Sequence, residues 1–520
     1  MSESVKIIEH GLVVTCDAQN HFGYFALLLK DDRITELNPS SEGLKARYPN
    51  AEVIDAAEKI IFPGFIDAHY HGESFVLRNW TSDVPLSKWS KYPPVRKALS
   101  FVRSHASKEE LIPMYRTAYF SALKSGITTL SEFGFDNTDI PFLAAREAMK
   151  RSDLKGFVGI HNGEQAELAR NITPSAIAHA LILPAEDELT VYNLQTTLRT
   201  AHELKWPIIS HLGESRRGLE TVRRNFHRSI VSVLEEYKVL LQPVHLAHLA
   251  LLDEGEESVL MRMRIPIIIN PVSVLAKDAE LPPLARFLAA EVPLALCSDW
   301  GTPDPFENMR GTTMLAKLCG AEPLSPMQII GMHTIHAARA LHMHHHVGSV
   351  ESGKKADLAF LDISDLRLSL PLAHGSANTV LRRILQEASS ARVSDVMING
   401  EFFIRKGQVM TYAEEDLKRE YREVVEAIVK KMGPQPEESP AHAEVRVETP
   451  IIPLHGQRPM EPLAPLGSEN ESFEEGFRII GKTGSLPPSG DDSREVDRQD
   501  QTGNEDIPKT VRKIFGDDDF

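Results

Sequence analysis

Eight short apolar runs alternate with helix-like stretches through the middle of the chain. They are FIDAH (65–69), ITTLSEF (127–133), KGFVGIH (155–161), HALILPA (179–185), PIISH (207–211), VLLQPVHLAH (239–248), IPIIINPV (265–272) and VPLALCSD (292–299). Short continuous runs of this kind read as parallel strands buried on both faces. Between them, TPSAIAHA and EESVLMRMR carry helical spacing. Ser325, Pro326 and Gln328 place an N-cap, a first-turn proline and a capping-box partner at the start of a further helix. Eight such units over roughly 250–290 residues predict an α/β fold, a (β/α)8 TIM barrel.

Both flanks have another pattern. GLVVTCD, YFALLLKDDRITELN and AEVIDAAEKIIF before the barrel, and VGSVESGKKADLAFLDI and SDVMINGEFFIRKGQVM after it, are β-rich runs broken by polar turns. The expected organisation is a small β-sandwich built from residues 1–62 and 347–411, a barrel over 63–346 and a helix over 412–432. From Gly433 onward, 88 residues hold 19 acidic and 9 basic side chains and 11 of the 33 prolines. Such a stretch buries too little apolar surface to offset its ordering entropy. A disordered acidic tail is expected over 433–520, its FEEGFRIIG and KTVRKIFG pieces being candidates for docking on an unidentified protein.

The tail changes the meaning of the overall charge. The 520 residues carry a net −16, of which −10 falls in the tail and −6 in the body. Neither part offers the clustered positive charge that nucleic acid requires. Cys16, Cys297 and Cys319 cannot form a disulfide framework and suit a reducing compartment. No run approaches the 18 apolar residues of a membrane span, and the N-terminus lacks the pattern of a secretory signal. A cytoplasmic globular protein without membrane or nucleic-acid partners is the expectation.

Candidate chemistry gathers at the C-terminal ends of the predicted strands. Run one ends in Asp67-Ala68-His69-Tyr70-His71, and side chains two apart on a strand point the same way. Run five ends in Ser210-His211-Leu212-Gly213-Glu214, run six holds His245 and His248, and run eight ends in Cys297-Ser298-Asp299. An aspartate closing so apolar a strand is costly to bury unless it is paired or coordinated. Barrel active sites form where these strand ends converge. LHMHHHVG, with His342, His344, His345 and His346, reads as a surface loop.

The order His-x-His, His-x-x-Glu, His, Asp on strands one, five, six and eight resembles the amidohydrolase superfamily, within it the hydrolytic deaminase and chlorohydrolase branch. PGFIDAHYH, RNWTSDVPLSKW, HLGES and TIHAARALHMHHHVGSVESGKKADLAFLD carry the resemblance, which spans about residues 5–412. It implies one divalent metal ion, zinc before iron or manganese, held by His69, His71, His211 and Asp299. It implies Glu214 as proton shuttle, and His248, in preference to His245, as the histidine that polarises the attacked centre. Three neutral imidazoles and one carboxylate leave such a site at net +1, which favours hydroxide over water. Asp299 would also accept the proton of the attacking water. The implied reaction is hydrolysis of a non-peptide carbon–nitrogen bond, above all deamination of an aminated N-heterocycle such as a purine or nucleoside. Cyclic amide or carbon–halogen hydrolysis uses the same site, and a catalytically silent binding module is the alternative of another class. The resemblance also suggests a homodimer or larger assembly.

Several positions depart from the branch. Ala185, Glu186 and Asp187 follow run four where a histidine is common. Leu251 replaces a second histidine after His248, Trp300 replaces a small residue after Asp299, and NPVSV keeps Ser273 but not the asparagine after it. Trp300 and Trp80 are candidates to stack a planar ring or to pack in the core.

Overall fold

In the computed structural model, residues 4–82, 84–134, 139–172, 177–277, 280–368 and 376–432 are described. The expected tail, 433–520, lies outside the described residues, as does part of the TPSAIAHA stretch. Eight parallel strands run in chain order around one sheet: β1 Phe65–Tyr70, β2 Ile127–Glu132, β3 Lys155–Ile160, β4 Ile177–Ile182, β5 Ile208–Leu212, β6 Val244–His248, β7 Ile267–Ile269 and β8 Leu294–Leu296. A parallel bridge between Tyr70 and Asp299 meets the open edge, with the Asp299 N–H donating to the His69 carbonyl at 3.0 Å. The fold is the (β/α)8 barrel.

Three boundaries differ from the sequence reading. The run 239–248 opens with a 3-10 turn, Val239–Leu241, and turns into strand only at Val244, because Pro243 interrupts it. The run 265–272 ends in the helix Pro271–Ala276, with proline at its first position. In TPSAIAHA, the residues from Ile177 belong to β4, not to a helix, since pairing along β3 overrides local helical spacing.

Ile66, Ala68, Phe157, Ile209, Ile268 and Ala295 fill the barrel interior. The β1–β2 register shifts between Asp67 and Tyr70. Ala68 therefore faces the interior cluster while Tyr70 joins the outer one, and the change of phase falls where His69 and His71 leave the strand. At Gly156 (φ +134°) any Cβ would lie 1.8 Å from the Leu130 carbonyl, so β2 and β3 approach closely only with glycine there.

Both flanking segments build the small β domain. Lys59–Pro63 pairs antiparallel with Leu358–Asp362, joining chain regions on either side of the barrel in one seven-stranded sheet. A four-stranded sheet contains Val5–Glu9, Ala26–Lys30, Arg33–Asn38 and Glu52–Asp55. Ile8, Leu27 and Leu29 of this sheet share a core with Val13, Ile61, Leu358 and Phe360 of the other. Lys155, at the start of β3, pairs with Asp357 and donates to Asn399 Oδ1 at 3.0 Å, which fixes the barrel to this domain. The capping box at Ser325 is formed, with Gln328 N–H donating to Ser325 Oγ at 3.2 Å. Glu414–Met432 is a long helix packed on the helix Lys108–Lys124. Among the described residues, no helix is long and apolar enough to cross a membrane.

Candidate metal centre

His69 and His71 sit where β1 ends, His211 on β5, and Asp299 just beyond β8. One donor atom from each lies within 4.8 Å of all the others. His69 Nε2 is 2.8 Å from His211 Nε2, and Asp299 Oδ1 is 3.7 Å from His69 Nε2 and 3.6 Å from His71 Nε2. Donors about 2.1 Å from one zinc stand roughly 3.4 Å apart in tetrahedral geometry, so the spacing suits a small divalent cation. His71 Nε2 and Asp299 Oδ1 are buried and have no hydrogen-bond partner in the protein. Buried polar atoms are rarely left so, and a cation would satisfy both. The donor set, three imidazole nitrogens and a carboxylate oxygen, fits zinc, iron or manganese chemically.

The surroundings aim these donors. Glu73 Oε1 accepts from His71 Nδ1 at 3.1 Å, which leaves the His71 Nε2 lone pair facing the cluster. Phe133 stacks on the His211 ring at 3.9 Å, nearly parallel. Burial and the neighbouring imidazoles hold His69 and His211 well below the ordinary histidine pKa, so both rings are neutral and able to ligate. Burial opposes the charged form of Asp299, but Lys277 and the nearby histidines outweigh it and keep the carboxyl well below its usual range. Asp299 (φ +51°) and His248 (φ +74°) both occupy the left-handed region. Such strain on non-glycine residues persists where surrounding contacts over-determine it.

Glu214 and His248 stand beside the four donors. Glu214 Oε2 is 3.6 Å from His211 Nδ1, and Oε1 is 3.9 Å from His248 Nε2 and 3.6 Å from Lys277 Nζ. Burial acts to raise the Glu214 pKa, yet His248, Lys277 and His211 pull it down to about 2. Gly213 (φ +62°) makes the turn that carries Glu214 out of the strand. The two β6 histidines part company: the His248 ring lies 4.7 Å from that of His211, whereas His245 is buried against Phe157 and His342.

Other sequence candidates fall elsewhere. Glu186 is buried behind the mouth and accepts from the Gly213 N–H at 2.8 Å, so it supports the turn before Glu214. Asp187 pairs with Arg217 at 3.6 Å. Trp300 is at the mouth, its ring 5.4 Å from His71 and 4.6 Å from Trp89, while Trp80 packs against the outer core. His342, His344, His345 and His346 join no group of three or more metal-capable donors among the described residues. Sequence reasoning missed Glu73, Phe133, Asn270 and Lys277. Glu73 had a readable signal, since it continues the alternation of His69 and His71. Lys277 had a fainter one, standing one helical turn after Ser273.

The sequence model of the amidohydrolase family matches residues 60–403. A 5-methylthioadenosine/S-adenosylhomocysteine deaminase of Moorella thermoacetica is 25% identical over 410 residues, covering 76% of this chain and 93% of the relative. An adenosine deaminase from Xanthomonas campestris with bound zinc superposes with a TM-score of 0.70 at 21% identity, over 81% of this chain and 98% of that one. The zinc complex of atrazine chlorohydrolase from Arthrobacter aurescens gives a TM-score of 0.67 at 16% identity, over 81% and 100%. These two share the barrel with its flanking β domain. The chain belongs to the amidohydrolase family and is a metal-dependent hydrolase.

Proposed function

We propose that this chain deaminates an aminated purine nucleoside by hydrolysis, with zinc held by His69, His71, His211 and Asp299. The observation that carries the reading is the placement of Glu214 and His248 against those four donors, since a carboxylate and an imidazole beside a cation are what hydrolytic loss of an amine requires. A likeness to deaminases of 5-methylthioadenosine and S-adenosylhomocysteine supports a 5′-substituted adenosine as the substrate class. Bound there, a divalent cation polarises water and the attacked carbon as a Lewis acid.

The protein's own groups supply the rest. Asp299 takes up the proton that the attacking water gives up, and Glu214, which rests as a carboxylate, shuttles a proton to the departing nitrogen. His248 Nε2 is buried with no hydrogen-bond partner and is free to orient the attacked centre. Glu73 keeps His71 in one tautomer. Trp300 walls the mouth beside His71, where a planar base would lie. The working body in this reading is residues 1–432, with the barrel over 63–346 and the β-sandwich from 1–62 and 347–411.

The test is ammonia release by the zinc-loaded full chain from adenosine, 5′-methylthioadenosine, S-adenosylhomocysteine and guanine. Release from one of the adenosines is the expected result. Zinc held at about one per chain with no ammonia from any of them would overturn the reading. Chloride from a chlorotriazine, or a ring-opened acid from a cyclic amide, would then reassign the same site. A purified chain that holds no divalent ion would favour a binding module.

A further inference from the structure

The carboxylate of Asp299 is gripped unequally. Its Oδ1 has no hydrogen-bond partner and faces His69 and His71. Its Oδ2 accepts from Asn270 Nδ2 at 2.7 Å, Ser273 Oγ at 2.7 Å and Lys277 Nζ at 2.6 Å. All three donors come from one short helix, Pro271–Ala276: Asn270 is its N-cap, Ser273 lies within it and Lys277 is its C-cap. Ser273 and Lys277 are four apart and so share a helix face.

Lys277 differs from the other two donors. It is buried, at 5% exposure, and its ammonium also stands 3.6 Å from Glu214 Oε1. It thereby bridges the carboxylate on the cation side of the site to the carboxylate beside the leaving group. Burying an ammonium is costly unless it is paired, and both carboxylates that pair with this one belong to the site. The Lys277 carbonyl accepts from the Leu86 N–H at 3.1 Å, which fixes the backbone from which the side chain reaches.

We infer that Lys277 is a positioning residue: by bridging Asp299 Oδ2 and Glu214 it leaves only Oδ1 to the cation and holds the Glu214 carboxylate in reach of the leaving nitrogen. The Glu214 half rests on the function proposed above; the Asp299 half does not. Asn270 and Ser273 also donate to Oδ2, but both are neutral; of the three donors only Lys277 sets a positive charge against Oδ2 and reaches Glu214 as an ion-pair partner.

The experiment uses the full chain with Lys277→Met and Lys277→Arg, loaded with cobalt(II) for its visible spectrum and with zinc for turnover. In Lys277→Met, Oδ2 gains freedom to join the cation, so the cobalt bands weaken as coordination rises, and Lys277→Arg restores them. With an ammonia-releasing substrate, kcat falls about 100-fold, the size expected of a misplaced catalytic group, while KM stays within about threefold. An unchanged cobalt spectrum overturns the Asp299 half, whether or not any amine is turned over. A kcat within about twofold of the unsubstituted chain overturns the Glu214 half. A wild-type chain that binds cobalt but releases no ammonia overturns the deaminase reading and leaves the spectrum to decide on Lys277. Should Lys277→Met fail to fold, Lys277→Leu likewise removes the donor from Oδ2 and the charge beside Glu214 and carries the same two measurements.

Discussion

Glu186 shows how much one buried carboxyl can bear on pH behaviour. Its side chain has one hydrogen bond from the Gly213 N–H, and burial pushes its pKa up to about 7. The unfolded chain titrates this group near 4.5. Between those two pH values the folded state holds a proton that the unfolded state has lost, so stability falls as pH rises through the window and levels off above it. Glu186→Gln keeps an acceptor for Gly213 without the charge. Above pH 7 it is expected to be more stable than the unsubstituted chain by on the order of 1–3 kcal/mol, as denaturant midpoints would measure, with the gap narrowing towards pH 4.5. A gap that does not vary with pH would show that Glu186 is not protonated in the fold. At the mouth, Glu214→Gln leaves the four metal donors in place. Zinc content after dialysis is expected to match the unsubstituted chain, while turnover falls about 10²–10⁴-fold, the range for a lost proton-transfer group. Near-normal ammonia release would refute the proton-shuttle role.

Among the elements, the helix Glu414–Met432 is the best case of chemistry fixing a position. Glu420 and Arg116 form a buried ion pair, with Arg116 Nε donating to Glu420 Oε2 at 2.9 Å, and both residues are 8% exposed. Breaking such a pair leaves an uncompensated charge, whereas replacing both partners with apolar residues does not. Glu420→Ala is expected to cost about 3–5 kcal/mol, and Arg116→Met with Glu420→Leu much less, as denaturant midpoints would measure. Equal losses in the two variants would mean that the pair does not hold the helix. The eight barrel strands were legible because continuous apolar runs of this length have few other uses. Strand ends were less so: the helix that starts at Pro271 cut one run short, and pairing along β3 took Ile177 out of a helical pattern. The candidate donors His69, His71, His211 and Asp299, and His248 beside them, were readable as residue types at strand ends. Their convergence needed a register shift in β1 that period-two counting cannot foresee. Lys277 offered only its place one turn after Ser273, since its partner Asp299 is 22 residues away and the barrel brings the two together.

At the scale of the whole molecule, the question is where the working body ends. Met432 is buried, and its carbonyl accepts from Lys97 Nζ at 2.9 Å, so the described chain is tied down to its last residue. Within that final helix Leu417, Val424, Ile428 and Met432 are all buried. At about 1.5–3 kcal/mol for each such side chain, their loss rivals the roughly 5–15 kcal/mol by which a domain is stable. A chain cut after Tyr412 is therefore expected to aggregate or to melt many degrees lower. A chain cut after Met432 keeps every contact described here and loses only the 88 residues that carry −10 of the net −16. It is expected to release ammonia at the unchanged rate, hold zinc as tightly and melt within about a degree of the full chain. A drop in kcat in the 1–432 chain would show that the segment reaches the active site, and a drop in melting temperature alone would show that it docks elsewhere on the body.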